Sequence, residues 1–297
     1  RAEPVPQLGA IQSAAELGLK AHPAARVLIF PNIGSYFGGD LIAGILCAGI
    51  HRREETAIMV DVGTNAEVVL GNRDWLIGCA GAAGPALEGG MTRMGMAAAP
   101  GVIDRVAIDP DAGSFRIHTI DDLPPRGICG SGVIDLAAGL FRAGMIDIRG
   151  KLSPARCRGR LREKDGMAHL VVVPAEASAD GCDLTVSQAD IDSLIRSKAA
   201  MYTILETLSA TVGVRLEEIG TFFVAGTFGS LIDPASAVAI GMLPDLPPGA
   251  YRPLGNTSLA GASLALTSPG AMEEVDSSRG RITYLELNVN QDFMNRF

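Results

Sequence analysis

The fold is decided by the stretch Ala57–Leu70, which reads AIMVDVGTNAEVVL. The first arm is apolar except at Asp61, and the second arm is apolar except at Glu67. Gly63, Thr64 and Asn65 form a polar turn between the arms. The pattern predicts two strands that pair as a hairpin. Burying a carboxylate inside an apolar strand is costly unless a cation or several hydrogen-bond donors compensate for its lost solvation.

Two interpretations of this hairpin follow from its chemistry. In the first, Gly63, Thr64 and Asn65 receive phosphate oxygens through an open backbone N–H and short polar side chains. Asp61 then holds a metal ion or a metal-bound water, with Glu67 on the next strand as a supporting residue. In the second, the hairpin is ordinary and Asp61 caps neighbouring N–H groups.

The composition excludes several classes of function. The chain has 297 residues, of which 47% are hydrophobic and 20% charged, and its net charge is −8. An acidic chain with a single basic run, Arg156–Arg162, is not expected to bind nucleic acid. We find no apolar run long enough to span a membrane and no signal peptide, so a cytoplasmic location without a membrane partner is expected. Because the sequence begins with Arg1 rather than Met, we expect a piece of a longer protein.

The five cysteines are too far apart in sequence to form a metal site. None lies within four residues of another, so the ligand spacing of zinc and iron–sulfur sites is missing. Scattered cysteines in odd number are typical of reduced thiols in the cytoplasm. They are Cys47, Cys79, Cys129, Cys157 and Cys182.

The rest of the chain predicts alternating helices and strands around the hairpin, with Asp40 as the N-cap of the helix that precedes it. A third strand at 75–80 extends the hairpin into a meander, and the polar segment 150–185 predicts a surface insertion with one strand at 170–173. The other predicted strands are 26–30, 102–108, 115–120, 219–225, 251–254 and 282–287. The predicted helices are 11–19, 41–50, 133–143, 188–212, 234–240 and 258–267.

Five glycine-rich loops end strands or open helices. Their backbone N–H groups, and the helix N-termini that follow some of them, are suited to binding phosphate, although each loop alone is also an ordinary turn. Ser131 is disfavoured as a nucleophile because it lacks a GxSxG context and an assignable histidine partner. The loops are 63–65, 81–90, 127–132, 226–229 and 255–256. Their candidate ligand contacts, beyond the hairpin, are Gly84, Glu88, Gly130, Ser131, Gly226, Thr227, Phe228, Gly229, Gly255 and Asn256.

Six motifs occur in the order found in the reductive activators of corrinoid proteins. These activators are a branch of the superfamily of acetate and sugar kinases, Hsp70 and actin, abbreviated ASKHA. The chain resembles their carboxyl-terminal ATPase domain from about Val27 onward. The motifs are VDVGTNAEVVLGN (60–72), AGAAGPALEGGMTRMGMAA (80–98), GICGSGVID (127–135), VAGTFG (224–229), IGMLP (240–244) and LGNTSLAGA (254–262).

The resemblance implies a ribonuclease-H-like, actin-like α/β fold with a mixed sheet and flanking helices. It implies that residues 61–65 are a phosphate hairpin, that 225–229 are the adenosine loop and that 255–262 begin a helix connecting two lobes. ATP and Mg²⁺ are the implied cofactors, with Asp61 as the catalytic and metal residue and Glu67 as a second catalytic candidate. The implied activity couples ATP hydrolysis to the return of corrinoid Co(II) to Co(I).

The family pattern is incomplete in this chain. The iron–sulfur domain, expected to carry a 2Fe–2S cluster, and an earlier lobe with its own phosphate hairpin are both missing from the sequence. We therefore expect residues 1–297 to be a single ASKHA-type domain of a larger activator, with a corrinoid protein and an iron–sulfur electron donor as partners. Small-residue helices leave room for a homodimer.

Two alternatives remain open at the level of sequence. The chain is either a small-molecule kinase of the same superfamily, or a non-catalytic module for corrinoid-protein docking or dimerisation. A kinase produces a phosphorylated metabolite, whereas a docking module binds its partner regardless of ATP.

Overall fold

The computed structural model describes residues 11–34, 36–63, 65–82, 94–157, 159–226, 229–247 and 249–296. The strands are β1 (Ile11–Ser13), β2 (Arg26–Leu28), β3 (Ala57–Val62), β4 (Asn65–Gly71), β5 (Leu76–Ala82), β6 (Val102–Ile108), β7 (Phe115–Thr119), β8 (Gly127–Ile128), β9 (Leu161–Lys164), β10 (Met167–Val173), β11 (Leu184–Ser187), β12 (Thr221–Ala225), β13 (Tyr251–Gly255) and β14 (Ile282–Tyr284). The helices are α1 (Gly39–Ala48), α2 (Gly130–Arg142), α3 (Gln188–Thr211), α4 (Pro234–Ala239), α5 (Thr257–Thr267), α6 (Ala271–Arg279) and α7 (Gln291–Arg296).

The centre of the fold is a mixed sheet of six strands in the order β13-β12-β3-β4-β5-β14. Strands β3, β4 and β5 form the antiparallel meander that the sequence predicts, with Asp61 directly opposite Glu67. On the other side of β3, strands β12 and β13 run parallel to it, so their carboxyl ends meet at the end of the sheet that carries Asp61. The predicted mixed sheet with flanking helices is therefore confirmed.

Alternation along β3 divides its side chains between two hydrophobic layers. Ile58, Val60 and Val62 belong to the larger core, which includes residues of α2 and α3. Ala57 and Met59 belong to a second core with residues of α1 and α6. Since Asp61 follows Met59 by two residues, its side chain projects from the face that α1 covers.

Two smaller sheets flank the central one. Strands β7, β6 and β8 form one, on which α2 packs, and β11, β10 and β9 form the other. The second sheet lies in the predicted insertion, where the sequence indicated one strand instead of three. Strand β9 is largely polar and β11 has only four residues, so neither has the run of apolar residues that revealed β10.

Several boundaries differ from the sequence-based expectation. The helix predicted at 11–19 is wrong, because β1 pairs with β2 there. The N-cap of α1 is Gly38 rather than Asp40, and the carboxylate of Asp40 accepts the adjacent N–H of Leu41 within the first turn. Helices α6 and α7 were missed because their sequences are rich in polar residues. The last strand ends at Tyr284 instead of Leu287.

Helices α1 and α5 cross at a contact that requires a glycine. A Cβ atom placed on Gly261 of α5 would lie 2.0 Å from the carbonyl oxygen of Ala43 and 2.5 Å from its carbonyl carbon. The obstacle is backbone, so it cannot move aside as a flexible side chain would.

No helix within the described ranges is both long and apolar enough to cross a membrane.

We predict that Gly261→Ala lowers the free energy of unfolding by about 1–3 kcal/mol, because the added methyl group forces the two helices apart. This direction is opposite to the usual stabilisation by alanine inside a helix. Chemical denaturation of both proteins measures the difference.

Gly280→Ala is the matched control. Gly280 has φ −64°, and the atom nearest to the position that its added methyl group would take is 3.8 Å away, so the change should stay within about 0.5 kcal/mol. Equal stabilities of the two variants would contradict the close-contact argument.

Candidate functional site

Three carboxylates converge on the face of the sheet that α1 covers. Asp61 lies near the end of β3, Glu67 lies opposite it on β4, and Asp40 lies in the first turn of α1. Asp61 and Glu67 are both half-buried, and no described residue donates a hydrogen bond to the side chain of Asp61. Because Thr64 of the turn lies outside the described residues, the interpretation in which Asp61 caps its own turn stays a prediction.

The pKa values of Glu67 and Asp61 are raised by their surroundings. Burial, then repulsion from Asp61 and Asp40, raises the pKa of Glu67 to about 7. Burial and the charge of Asp40 likewise raise the pKa of Asp61. Carboxylates placed in this way lack a compensating positive charge, which is the electrostatic condition under which a cation binds favourably.

The loop after β12 comes into direct contact with Asp61. Gly226 has φ +85°, and a Cβ atom placed on it would lie 2.7 Å from Oδ1 of Asp61. The N–H of Gly226 donates to the carbonyl oxygen of Gly255 at 2.9 Å, which ties the ends of β12 and β13 together. One described residue from each of the three predicted segments therefore lies at the same edge of the sheet, namely Asp61, Gly226 and Gly255.

Asn256 caps the helix that starts at this edge. Its side-chain oxygen accepts the N–H of Leu259 at 2.9 Å, so part of the amide has a structural role. Gly229 is buried, and a Cβ atom placed on it would lie 2.9 Å from Val224 Cγ1 and 3.7 Å from Val62. Both residues border the predicted adenosine loop, and their contacts to a ligand stay predictions.

The turn of the hairpin differs from the expectation in one respect. The N–H of Gly63 donates to the carbonyl oxygen of Asn65 at 2.9 Å, so this group is used within the turn rather than open to phosphate. The side chain of Asn65 is exposed and free to face a ligand. Thr64, Gly84, Glu88, Thr227 and Phe228 lie outside the described residues.

The loop at Gly130 and Ser131 lies on a different sheet. Both residues are buried at the start of α2, and the hydroxyl of Ser131 donates to the carbonyl oxygen of Asp104 at 3.1 Å. The Cys129 thiol lies 3.3 Å from the same hydroxyl. These contacts hold α2 on β6, and they provide no base for a nucleophilic serine. A ligand contact by this loop stays a prediction.

The carboxylates of Asp61, Glu67 and Asp40 are better suited to Mg²⁺ than to a metal ion whose ligands all come from protein side chains. Across the described ranges, no cluster of three or more His, Cys, Asp or Glu side chains is arranged to hold a metal ion. Mg²⁺ characteristically uses one or two carboxylates, with waters and substrate phosphates supplying the remaining ligands. Asp61, half-buried and without a donor among the described residues, is suited to this arrangement.

Comparison with known families decides the class of the domain. Residues 55–297 match the family model described as the C-terminal domain of RACo, the ASKHA domain, and residues 2–53 match the RACo middle region. The chain belongs to the RACo family. Membership of the ASKHA class implies nucleotide binding, and it confirms the fold and family inferred from the six motifs.

Named relatives carry related activities. The chain is 31% identical over 287 residues to the corrinoid activation enzyme RamQ of Eubacterium limosum, covering 94% of this chain and 48% of that protein. It is 24% identical to a Co(II) methylated amine-specific corrinoid protein reductase of Methanosarcina barkeri, covering 91% of this chain and 50% of that protein.

A solved structure, named as a reductive activator for corrinoid, iron–sulfur protein, matches with a TM-score of 0.88 and 41% identity, covering 96% of this chain and 46% of that chain. The chain therefore spans about half the length of the relatives it matches.

Asp40 is the site residue that sequence reasoning missed. Its position beside glycines at a helix start indicated an ordinary N-cap, and its sequence distance from Asp61 concealed their proximity. The repulsion that Asp40 exerts on Asp61 and Glu67 shows that α1 brings its carboxylate to the same site.

We predict that Glu67→Gln stabilises the protein more at high pH than at low pH. The pKa of Glu67 is about 7 in the folded protein against an ordinary value of 4.5, so the folded state binds a proton that the unfolded state releases. The stability of the native protein therefore falls as pH rises across this interval, and glutamine removes that loss. Because Glu67 is partly exposed, we expect a discounted gain of about 1 kcal/mol, or about 2–4 °C, at about pH 8 and little gain at about pH 4.5.

Thermal unfolding at the two pH values measures this difference. Glu163→Gln on β9 is the control, because Glu163 is exposed and its replacement should shift the melting temperature equally at both values. If the melting temperatures of Glu67→Gln and the native protein differ by the same amount at both pH values, the elevated pKa of Glu67 is ruled out.

Proposed function

We propose that this chain is the ATP-binding and ATP-hydrolysing part of a reductive activator that returns the cobalt of a corrinoid protein from Co(II) to Co(I). The observation that carries the proposal is the contact of Gly226 with Asp61 at an edge where three parallel strands end. Open α/β sheets bind their ligands at such carboxyl edges.

The residues at this edge have different roles in the proposed nucleotide binding. Gly226 allows close approach of the adenosine loop to the hairpin, and Asn65 and the start of α5 supply polar groups beside it. Asp61 would hold Mg²⁺ or orient the attacking water, with Glu67 and Asp40 adding negative charge around it. Bound Mg²⁺ supplies charge neutralisation for the phosphates, and the protein contributes positioning.

Glu67 is the candidate for proton acceptance during hydrolysis. With a pKa of about 7 it exchanges protons near neutral pH, whereas an ordinary exposed glutamate is fully ionised there. Its position directly opposite Asp61 places it beside the group that would orient the water. The two carboxylates thus take different roles because their surroundings differ.

The proposal for the whole activator rests on its relatives. One is named a corrinoid activation enzyme, another a corrinoid protein reductase, and the solved structure a reductive activator. We infer a cytoplasmic activator in which an iron–sulfur domain supplies the electron and a corrinoid protein receives it. Residues 1–297 would form the ASKHA-type domain, and a homodimer is compatible with it. The family match favours this activity over a small-molecule kinase.

We predict that Asp61→Asn weakens the affinity for ATP with Mg²⁺ at least about tenfold and abolishes ATP-dependent Co(II) reduction in the complete activator, because the amide cannot neutralise the cation. Isothermal titration calorimetry measures the affinity, and the cobalt absorbance spectrum of a corrinoid protein reports reduction. Asp180→Asn, at an exposed turn, is the control and should change neither.

Undiminished Mg²⁺–ATP binding by Asp61→Asn would contradict the assignment. A phosphorylated metabolite formed from ATP would instead support the kinase alternative. Corrinoid-protein binding that is indifferent to ATP would support the docking module.

We predict that Gly226→Ala weakens ATP binding while Gly249→Ala does not. Both glycines have positive φ, +85° and +87°, so alanine introduces a similar backbone strain of about 1 kcal/mol at each. At Gly226 the methyl group also collides with Asp61, whereas at Gly249 no atom lies within 4 Å. Comparison of the ATP affinities of the two variants distinguishes the collision with Asp61 from the backbone strain. Equal losses of affinity would refute the contact between Gly226 and Asp61.

A further inference from the structure

An apolar cavity lies between three helices, and none of the residues assigned to the nucleotide lines it. It has a volume of about 260 Å³ and is formed by α2, α3 and α4 with the chain at 146–148. Ala137 and Leu194 are buried in its floor, whereas Phe141 is 38% exposed and Ile148 is 79% exposed at its rim. The cavity therefore opens to solvent between large apolar side chains.

A tight turn holds Ile148 in its exposed position. The N–H of Gly150 donates to the carbonyl oxygen of Asp147 at 2.9 Å, which closes the turn. Oδ1 of Asp147 also accepts the N–H groups of Arg149 and Lys151, each at 2.8 Å. An isoleucine on a turn fixed in this way loses little backbone freedom when another molecule covers it, and covering it removes apolar surface from water.

The segment that begins at this turn is strongly basic in an acidic chain. Residues 148–162 contain six arginine or lysine residues and no aspartate or glutamate, although the net charge of the chain is −8. Two of the six have partners within the protein, because Lys151 pairs with Asp192 at 3.6 Å and Arg160 lies 4.3 Å from the ring centre of Phe115. Such a concentration of one charge favours a negatively charged partner.

Arg149 and Arg156 lie beside the rim of the cavity. Arg149 is exposed and follows Ile148 in the turn. Arg156 is also exposed, and its Nε lies 4.0 Å from the position of a Cβ atom on Gly144, whose N–H donates to the carbonyl oxygen of Phe141. Neither guanidinium group forms a hydrogen bond or an ion pair with a described residue. Both are therefore available to carboxylates of a molecule that covers the rim.

Lys198 of α3 adds a positive charge to the cavity itself. Its Nζ lies 3.4 Å from the position that a Cβ atom on Gly241 would take, just after the end of α4. A lysine in this place interacts favourably with the helix dipole, but no described residue accepts a hydrogen bond from its ammonium group. Asp147 is the one carboxylate among the described lining residues, and its Oδ1 is used within the turn.

We propose that this cavity and the cationic groups beside it dock an acidic protein segment that carries a large apolar side chain. The apolar side chain enters the cavity, and carboxylates next to it pair with Arg149, Arg156 and Lys198. Protein interfaces commonly combine an apolar anchor that fills a pocket with a polar rim. Small-molecule sites commonly enclose about 300–1,000 Å³, so this smaller cavity is better suited to one side chain than to a whole ligand.

The distribution of charge favours an acidic protein segment over two other occupants. Nucleic acid presents an extended row of phosphates, which the net charge of −8 repels beyond the basic segment. A second copy of the chain has the same negative net charge, which opposes its approach. The proposal uses none of the residues at the Asp61 edge, so it does not depend on the proposed ATPase function.

Fluorescence anisotropy of labelled synthetic peptides with the intact chain tests the proposal. The probe is a peptide of glutamate residues with one phenylalanine at its centre, and the comparison peptide has alanine in that place. We expect the phenylalanine peptide to bind about tenfold more tightly, because only its ring fills the cavity. Raising the salt concentration from about 50 to about 300 mM should weaken the binding of both peptides, because the cationic groups are accessible to solvent.

Variants at exposed positions, which should not disturb folding, separate the apolar and the charged contributions. Ile148→Ser should weaken binding of the phenylalanine peptide about fivefold and binding of the alanine peptide much less. Arg149→Gln and Arg156→Gln should each weaken binding of both peptides about threefold, since exposed ion pairs contribute modestly. Arg26→Gln and Leu259→Ser are the matched controls outside the cavity lining, and both should bind the peptides as the native chain does.

The proposal is overturned if the phenylalanine peptide does not bind, if the alanine peptide binds equally well, or if both arginine variants retain native affinity. A labelled oligothymidylate of the same charge should bind more weakly than the phenylalanine peptide, and equal or tighter binding would also overturn the proposal. Analytical ultracentrifugation should give the same sedimentation for Ile148→Ser and the native chain. A native dimer that Ile148→Ser dissociates would assign the surface to a second copy and overturn the proposal.

Discussion

The burial of the Asp61 carboxylate in an apolar strand is the constraint on which the rest of the site depends. The strand brings Asp61 opposite Glu67, and α1 brings Asp40 to the same face. Burial, followed by repulsion from neighbouring carboxylates, raises the pKa of Asp61 and Glu67. The metal–phosphate ligand that we propose would neutralise this charge and so stabilise the arrangement.

The topology of the sheet brings loops from other strands to the carboxylate of Asp61, and together they form the site. Since β3, β12 and β13 run parallel, the loops that follow them emerge at one edge, and Gly226 and Gly255 meet beside Asp61. The close crossing of α1 and α5 at Gly261 then places both helix starts near the same edge. At Gly226 and Gly261 a side chain would collide with the neighbouring residues, so glycine permits the close approach.

Charge at the Asp61 edge is of one sign among the described residues. Carboxylates converge there without a described positive partner, which suits a cation carried by a phosphate ligand.

The sequence by itself determined the meander, the family and the identity of Asp61 as the central acid, because alternating apolar residues and ordered motifs are local signals. It did not reveal the strand at Ile11–Ser13, the short strands β9 and β11, or helices α6 and α7, since their residues satisfy several local structures equally well. Tertiary structure alone decided that Asp40 joins Asp61 and that the Gly63 N–H is used within its turn. These features depend on distances between residues far apart in the chain, and such distances are fixed only when the helices pack on the sheets.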